Sequence, residues 1–344
     1  MDNGSTRVVC FGEIMLRLMP PGFQRFVQAE AFEASYGGGE ANVSVSLANF
    51  GIPASFVTKL PENPLGQAAV NALRRYGVDT SGIVRGGDRL GIYFLEKGAS
   101  QRASVVVYDR KGSSIATATR ADFDWPTLFA GASWFHFTGI TPALGDEAAA
   151  ITLEACRAAR AAGLTVSCDL NYRKNLWSSQ KAGAVMAGLM PYVDVCIANE
   201  EDAEKVFGIA AEKSAVEEGK LDRAGYASVA RQLVERFGFK AVGITLRESL
   251  SASDNGWSGM LFTADGCWFS PRHAVHIVDR VGGGDAFAAG LIRAMSAGDA
   301  PQACIDFAVA ASCLKHSIEG DFNQVSVKEV LTLMKEGGSG RVQR

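Results

Sequence analysis

The chain has 344 residues, 47% hydrophobic and 21% charged, with a net charge of −3 and a pI near 5.9. That balance is the profile of a soluble globular protein and excludes a basic nucleic-acid-binding face or an affinity for anionic membranes. A chain of this length builds a core that needs neither disulfides nor a structural metal, and its seven scattered cysteines lack CxxC or Cys/His ligand spacing, which predicts free thiols in a reducing, cytoplasmic setting.

Met1 to Arg7 is short and polar, without a signal-peptide apolar stretch, and no run is apolar enough to span a bilayer. Two regions, residues 13–37 and 90–110, carry short alternating segments such as Gly91-Ile92-Tyr93-Phe94-Leu95 and Ser104-Val105-Val106-Val107-Tyr108. They read as half-buried hairpin strands, forming either a small β-sheet lid or an edge extension of a larger sheet. Between them, Gly37-Gly38-Gly39-Glu40-Ala41-Asn42 leads into an amphipathic helix over Val43–Phe50, closed by Gly51 and Pro53. This is either a helix start with Glu40 favourable to the dipole, or a place where glycines let a small polar ligand reach the backbone beside Asn42.

From about residue 130 the pattern changes. Strand-like Ser133–Phe137 is followed by an Ala-rich helix over Glu147–Ala162, stopped by Gly163. Leu164–Cys168 and Val193–Ile197 read as buried strands, Val229–Phe237 as a helix stopped by Gly238, and Ala241–Thr245 as another strand. Helix, glycine, apolar strand is the rhythm of a parallel sheet covered on both faces. Ligands of such sheets gather beyond the carboxyl ends of the strands, where Asp169, Asn199 and Thr245 would lie. Ala210–Lys220 reads as a charged surface insertion and Gly337–Arg344 as a frayed tail. With no repeat or linker, residues 1–344 are predicted to form one α/β domain plus the lid.

The densest signal is Val281-Gly282-Gly283-Gly284-Asp285, followed by a small-apolar helix to about Ser296. Free amides at a helix start bind anions. A carboxylate beside them is suited to deprotonate a hydroxyl during phosphoryl transfer. Glycine runs also serve as plain turns. The helix from Pro301 to Ser317 reads as core, although its small residues could line a base slot. His136, His273, His276 and His316 lack ligand spacing and read as structural. Neither glycine cluster has the GxGxxG or GK[ST] spacing of the common nucleotide fingerprints.

The early Gly37-Gly38-Gly39-Glu40-Ala41-Asn42, the late Asp279-Arg280-Val281-Gly282-Gly283-Gly284-Asp285 and Asn199-Glu200-Glu201-Asp202 together resemble the GG…N, D-x-x-G-x-G-D and N-x-x-E signatures of the ribokinase-like (PfkB-type) carbohydrate kinases, over nearly the whole chain. Leu16-Arg17-Leu18, Gly91-Ile92-Tyr93-Phe94, Tyr108-Asp109-Arg110, Asn171-Tyr172-Arg173, Thr245-Leu246-Arg247-Glu248-Ser249 and Gly320-Asp321-Phe322-Asn323 are similar to the ketodeoxygluconate kinases of that family. The resemblance implies a Rossmann-type, mostly parallel sheet flanked by helices, with a small β-sheet lid. It also implies ATP with Mg²⁺, and transfer of phosphate to the terminal hydroxyl of 2-keto-3-deoxygluconate. A fructokinase-like neutral-sugar kinase and a kinase of another keto-deoxy acid are the alternatives. A ligand-binding regulator and a nicotinamide-dependent oxidoreductase are the remaining rivals.

By the same resemblance Asp285 is the catalytic base and Gly282, Gly283 and Gly284 the anion hole. Gly38, Asn42, Tyr93, Tyr108, Arg110, Arg173 and Asp321 fall at sugar-contact positions; Asn171, Asn199, Thr245 and Arg247 fall where nucleotide phosphates or ribose bind. Arg110 and Arg173 would fork onto a sugar carboxylate, or else cap strands and cover apolar surface. The tyrosine hydroxyls would bind sugar or merely pack, and Asp321 would bind substrate or start a turn. Two positions depart from the family. Arg280 replaces the common threonine, which calls a monovalent-cation role there into question. Asp202 is one methylene shorter than the usual glutamate, which alters any water-mediated grip on the metal. An exposed lid edge would need cover, so a homo-oligomer through the lid is expected.

Overall fold

The computed structural model describes residues 6–199, 201–210 and 223–337. The predicted insertion over Ala210–Lys220 falls almost wholly outside these residues, as does the tail after Gly337.

The strands are β1 (Val8–Phe11), β2 (Met15–Met19), β3 (Glu33–Gly37), β4 (Ala54–Leu60), β5 (Ile83–Arg85), β6 (Gly91–Glu96) and β7 (Val105–Asp109). They continue as β8 (Trp134–Thr138), β9 (Thr165–Asp169), β10 (Val195–Asn199), β11 (Ala241–Ser249), β12 (Asp254–Thr263), β13 (Gly266–Phe269) and β14 (His273–His276). The large sheet runs β13-β12-β11-β10-β9-β8-β1-β4-β5, with β14 beside β12. From β5 to β11 every pairing is parallel; β12 to β14 form an antiparallel extension.

Alternation along the parallel strands supplies two cores. Val8 and Cys10 of β1 face one side with Val195 and Ile197 of β10, whereas Val9, Phe11, Cys196 and Ala198 face the other. Three helices matter for the site: α1 (Gly39–Asn49), α2 (Gly283–Ser296) and α3 (Pro301–Lys315). They cover the first side, and the Ala-rich helix Asp146–Ala161 covers the second. That helix and Arg223–Phe237 both end at glycines with positive φ, Gly163 and Gly238, in the left-handed conformation that favours glycine.

The hairpin-like segments form a separate four-stranded sheet, β3-β2-β6-β7, and do not extend the large one. Within it β2 pairs antiparallel with β3 and parallel with β6, and β6 pairs antiparallel with β7. Among the described residues no helix is long and apolar enough to cross a membrane.

Helix α1 starts at Gly39, four residues before the predicted start at Val43. Packing requires glycine at two positions of the first cluster. A Cβ on Gly37 would collide with the Asp321 carboxylate, and one on Gly38 with the Glu13 carbonyl oxygen.

Candidate active site

The carboxyl ends of the parallel strands meet the amino ends of α1 and α2 around a cavity of about 480 Å³. Register sets its floor. Thr138 pairs with Asp169 at the ends of β8 and β9, Asp169 pairs with Ile197, and Asn199, two residues further along β10, pairs with Thr245. The glycine-rich starts of both helices close the wall, and Tyr93, Val106 and Tyr108 of the small sheet form the roof.

Every predicted site residue except Gly283 lines this cavity. Gly283 is buried over the His316 ring, its N–H donates to the Arg280 carbonyl and its own carbonyl accepts from Ser312 Oγ. Gly282 adopts φ 83 as the residue capping α2. The N–H groups of Gly284 and Asp285 are in the first helical turn and have no acceptor within α2, the position at which helix starts can donate to an anion.

Asp285 is partly buried at the start of α2. Burial pushes its carboxyl pKa up to about 6, against the hydrogen bond from Asn42 that draws it down. Asn42 Nδ2 donates to Asp285 Oδ2 at 2.6 Å, and Gly38 N–H donates to Asn42 Oδ1 at 3.2 Å. Oδ1 of Asp285 has no donor among the described residues and is free for a substrate hydroxyl. Nearby, burial raises Asp169 well above the usual carboxylate range, with Asp202 and Asp285 adding repulsion.

Other predicted residues already have protein partners. Arg110 donates through Nε and Nη2 to buried Glu13, whose other oxygen accepts from Ser113 Oγ. The Tyr93 hydroxyl donates to Asp321 at 2.6 Å, and Arg17 Nη1 donates to the same carboxylate at 2.7 Å. Asn199 Oδ1 accepts from the N–H groups of Glu201 and Asp202, while Asp202 accepts from those of Asn199 and Tyr172. Asn171 is held at φ 39, its N–H on Asp169. Arg173, by contrast, is exposed, donates to the Tyr172 carbonyl at 3.4 Å and forms no ion pair among the described residues. Lys205, Arg247 and Arg280 add positive charge to the wall that holds Asn199 and Thr245.

Glu13, Glu40 as a buried acid and Lys205 line this cavity without having carried a predicted role, and Arg17 and Lys315 nearby carried none either. Glu40 is 1% exposed and accepts from Thr138 N, Thr138 Oγ1 and Thr141 Oγ1. Its only local signal was the glutamate in the first turn of α1. A Cβ on Gly12 would collide with its carboxyl group.

Among the described residues no group of three or more His, Cys, Asp or Glu is arranged to hold a metal ion directly. The carboxylates of Asp169 and Asp202 are hard oxygen donors that fit Mg²⁺ carried on phosphates and reached through water.

The chain is similar in sequence and fold to known proteins. The 2-dehydro-3-deoxygalactonokinase of Haloferax volcanii is 32% identical over 338 residues, covering 98% of this chain and 99% of its own. The crystal structure of 2-dehydro-3-deoxygluconokinase from Thermotoga maritima superposes with a TM-score of 0.92 at 54% identity, over 96% of this chain and 98% of that one. A putative ribokinase II from Escherichia coli, solved in complex with ATP and Mg²⁺, shares the fold at 17% identity and a TM-score of 0.76, over 96% and 99% of the two chains. Residues 5–325 match the family described as pfkB family carbohydrate kinase. With both glycine-flanked helix starts converging on Asp285 at one cavity, the chain belongs to the pfkB family of carbohydrate kinases.

Proposed function

We propose that this protein is an ATP-dependent kinase that phosphorylates the terminal hydroxyl of 2-keto-3-deoxygluconate, giving 2-keto-3-deoxy-6-phosphogluconate. The observation that carries the chemistry is Asp285, with one oxygen fixed by Asn42 and the other open, next to the free amides of α2. Asp285 takes the proton of the sugar hydroxyl at Oδ1, the hydroxyl oxygen attacks the γ-phosphorus in line, and the bond from that phosphorus to the oxygen bridging the β- and γ-phosphates breaks, so that ADP leaves. The N–H groups of Gly284 and Asp285 stabilise charge on the transferring phosphoryl group. Lys205, Arg247 and Arg280 would hold the nucleotide phosphates. Asp169 and Asp202 would hold Mg²⁺ through water, and the ion would supply charge neutralisation at the phosphates.

The acid-sugar preference is supported by Arg173, a guanidinium without an ion pair among the described residues that opens onto the cavity. Arginine forks onto carboxylates, and fructose and ribose have none. Arg110 is neutralised by Glu13 and serves as a polar wall more than as a free cation.

The small sheet acts as the lid that excludes water. Its outer strand β7 leaves Val105, Val106, Val107 and Tyr108 each at least 40% exposed, an apolar edge that pairing with a second copy would cover. Seven unpaired cysteines, most of them buried, suit a cytoplasmic enzyme.

The test is ADP release by the purified protein with Mg-ATP and matched concentrations of 2-keto-3-deoxygluconate, its galactonate epimer, fructose and ribose. Preference for the gluconate acid supports the proposal. Preference for the epimer moves the substrate to the related keto-deoxy acid, and preference for a neutral sugar removes Arg173 as the specificity residue.

A further inference from the structure

Lys315, the last residue of α3, is a fully buried lysine at 0% exposure. Its ammonium donates to two main-chain carbonyls, Ile318 at 3.1 Å and Asp279 at 3.4 Å. Asp279 begins the turn that leads to the anion-binding amides, and a Cβ on Gly282 would lie 3.2 Å from Lys315 Cε. The lysine therefore packs directly beneath the residue that caps α2. One turn back on α3, Ser312 Oγ donates to the Gly283 carbonyl at 2.6 Å, so the same helix face holds the loop at a second point.

The charges around it are ordered. Arg17 of β2 donates to Asp279 at 2.5 Å and to Asp321 at 2.7 Å, and Asp279 also accepts from the N–H groups of Val281 and Gly320. Two buried cations thus face two buried carboxylates under the loop, with Asp285 above. The lysine's pKa is lowered, by burial first and also by Arg17, against the opposing pull of Asp279, Asp321 and Asp285. Carbonyl acceptors and facing carboxylates favour the ammonium over the amine. A trans peptide places its C=O and N–H on opposite sides, so pulling the Asp279 carbonyl toward Lys315 turns the Arg280 amide away from it.

We propose that Lys315 is a positioning residue for phosphoryl transfer. Its ammonium is a resident cation that fixes the Asp279–Gly284 loop for the transferring phosphoryl group and removes the need for a small monovalent ion there. This rests on the kinase reading above.

The experiment compares the wild-type enzyme with Lys315→Met and Lys315→Ala, each checked for a cooperative melt. Lys315→Met is expected to lower kcat by about 10²-fold while the sugar KM stays within about threefold. Ammonium ions are expected to restore turnover to Lys315→Ala, and tetramethylammonium at equal ionic strength is not. A wild-type kcat or a loss confined to sugar KM in both variants would overturn the proposal. So would restoration by tetramethylammonium.

A measurement on the unmodified enzyme does not depend on the variants folding. Wild-type turnover in buffer free of alkali and ammonium ions is expected to match that in potassium chloride, and a strong requirement for either ion would overturn the resident-cation role. Wild-type enzyme that releases no ADP with any sugar refutes the kinase reading and this proposal with it. Active wild type with indifferent variants refutes the lysine's role alone.

Discussion

Asn42 Nδ2 lies 2.6 Å from Asp285 Oδ2, joining residues 243 positions apart in sequence. The first glycine-flanked helix thereby holds the carboxylate delivered by the last. This contact orients the carboxylate, lowers its proton affinity and leaves its second oxygen without a donor among the described residues.

Replacing the base tests its role most directly. Asp285→Asn is expected to lower kcat by about 10²-fold or more, with nucleotide affinity nearly unchanged. Steady-state kinetics beside nucleotide titration by calorimetry check this, and an Asn variant turning over near the wild-type rate would falsify the assignment.

The pH dependence follows from the same group. A general base acts deprotonated, so kcat/KM should fall as pH drops through about 6, the value to which burial raises Asp285 in the free enzyme. Asn42→Ala removes the hydrogen bond that favours the charged form, so the acidic limb should move to higher pH. An unmoved limb in that variant would show that another group titrates.

Glu40 is expected to control stability rather than turnover. Burial raises its pKa from 4.5 to about 7. Protonated Glu40 is then favoured by the folded state. Its contribution is fully present below pH 4.5 and is lost as pH rises through 7. The cost above pH 7 is on the order of 3 kcal/mol. Glu40→Gln keeps an acceptor for Thr138 and Thr141 without the charge. It should melt several degrees higher than wild type at pH 8 and no higher at pH 4. Thermal melts across that range decide it.

The two arginines should separate by readout. Arg173→Ala is expected to raise KM for an acid sugar about tenfold or more, with little change in melting temperature or in KM for fructose. Arg110→Ala strands the buried Glu13 carboxylate and should cost about 3 kcal/mol of stability whichever sugar is assayed. Kinetics with both sugars, paired with melts, distinguish a substrate contact from a structural ion pair.

Much of the fold was legible because its signals are local. The apolar strands of residues 134–138, 165–169 and 195–199 and the glycine stops at Gly163 and Gly238 follow from periodicity and backbone freedom over a few residues. The short alternating segments predicted β structure, but their separation from the large sheet depended on how β2 paired, antiparallel to β3 and parallel to β6. The early glycines promised ligand access, and the structure adds a steric reason: Gly37 and Gly38 pack against Asp321 and Glu13.

The sequence by itself determined the alternating α/β architecture and the glycine-rich start of α2 with its carboxylate, because each is written in contiguous residues. Only the tertiary structure decided which charges neutralise each other. Arg17 meets Asp321 across 304 positions and Arg110 meets Glu13 across 97. It also decided that Glu40 and Lys315 are buried and that Arg173 remains without an ion pair among the described residues. The physical reason is that a buried charge takes whichever partner the packed elements bring within hydrogen-bond reach, and that choice has no period or motif along the chain.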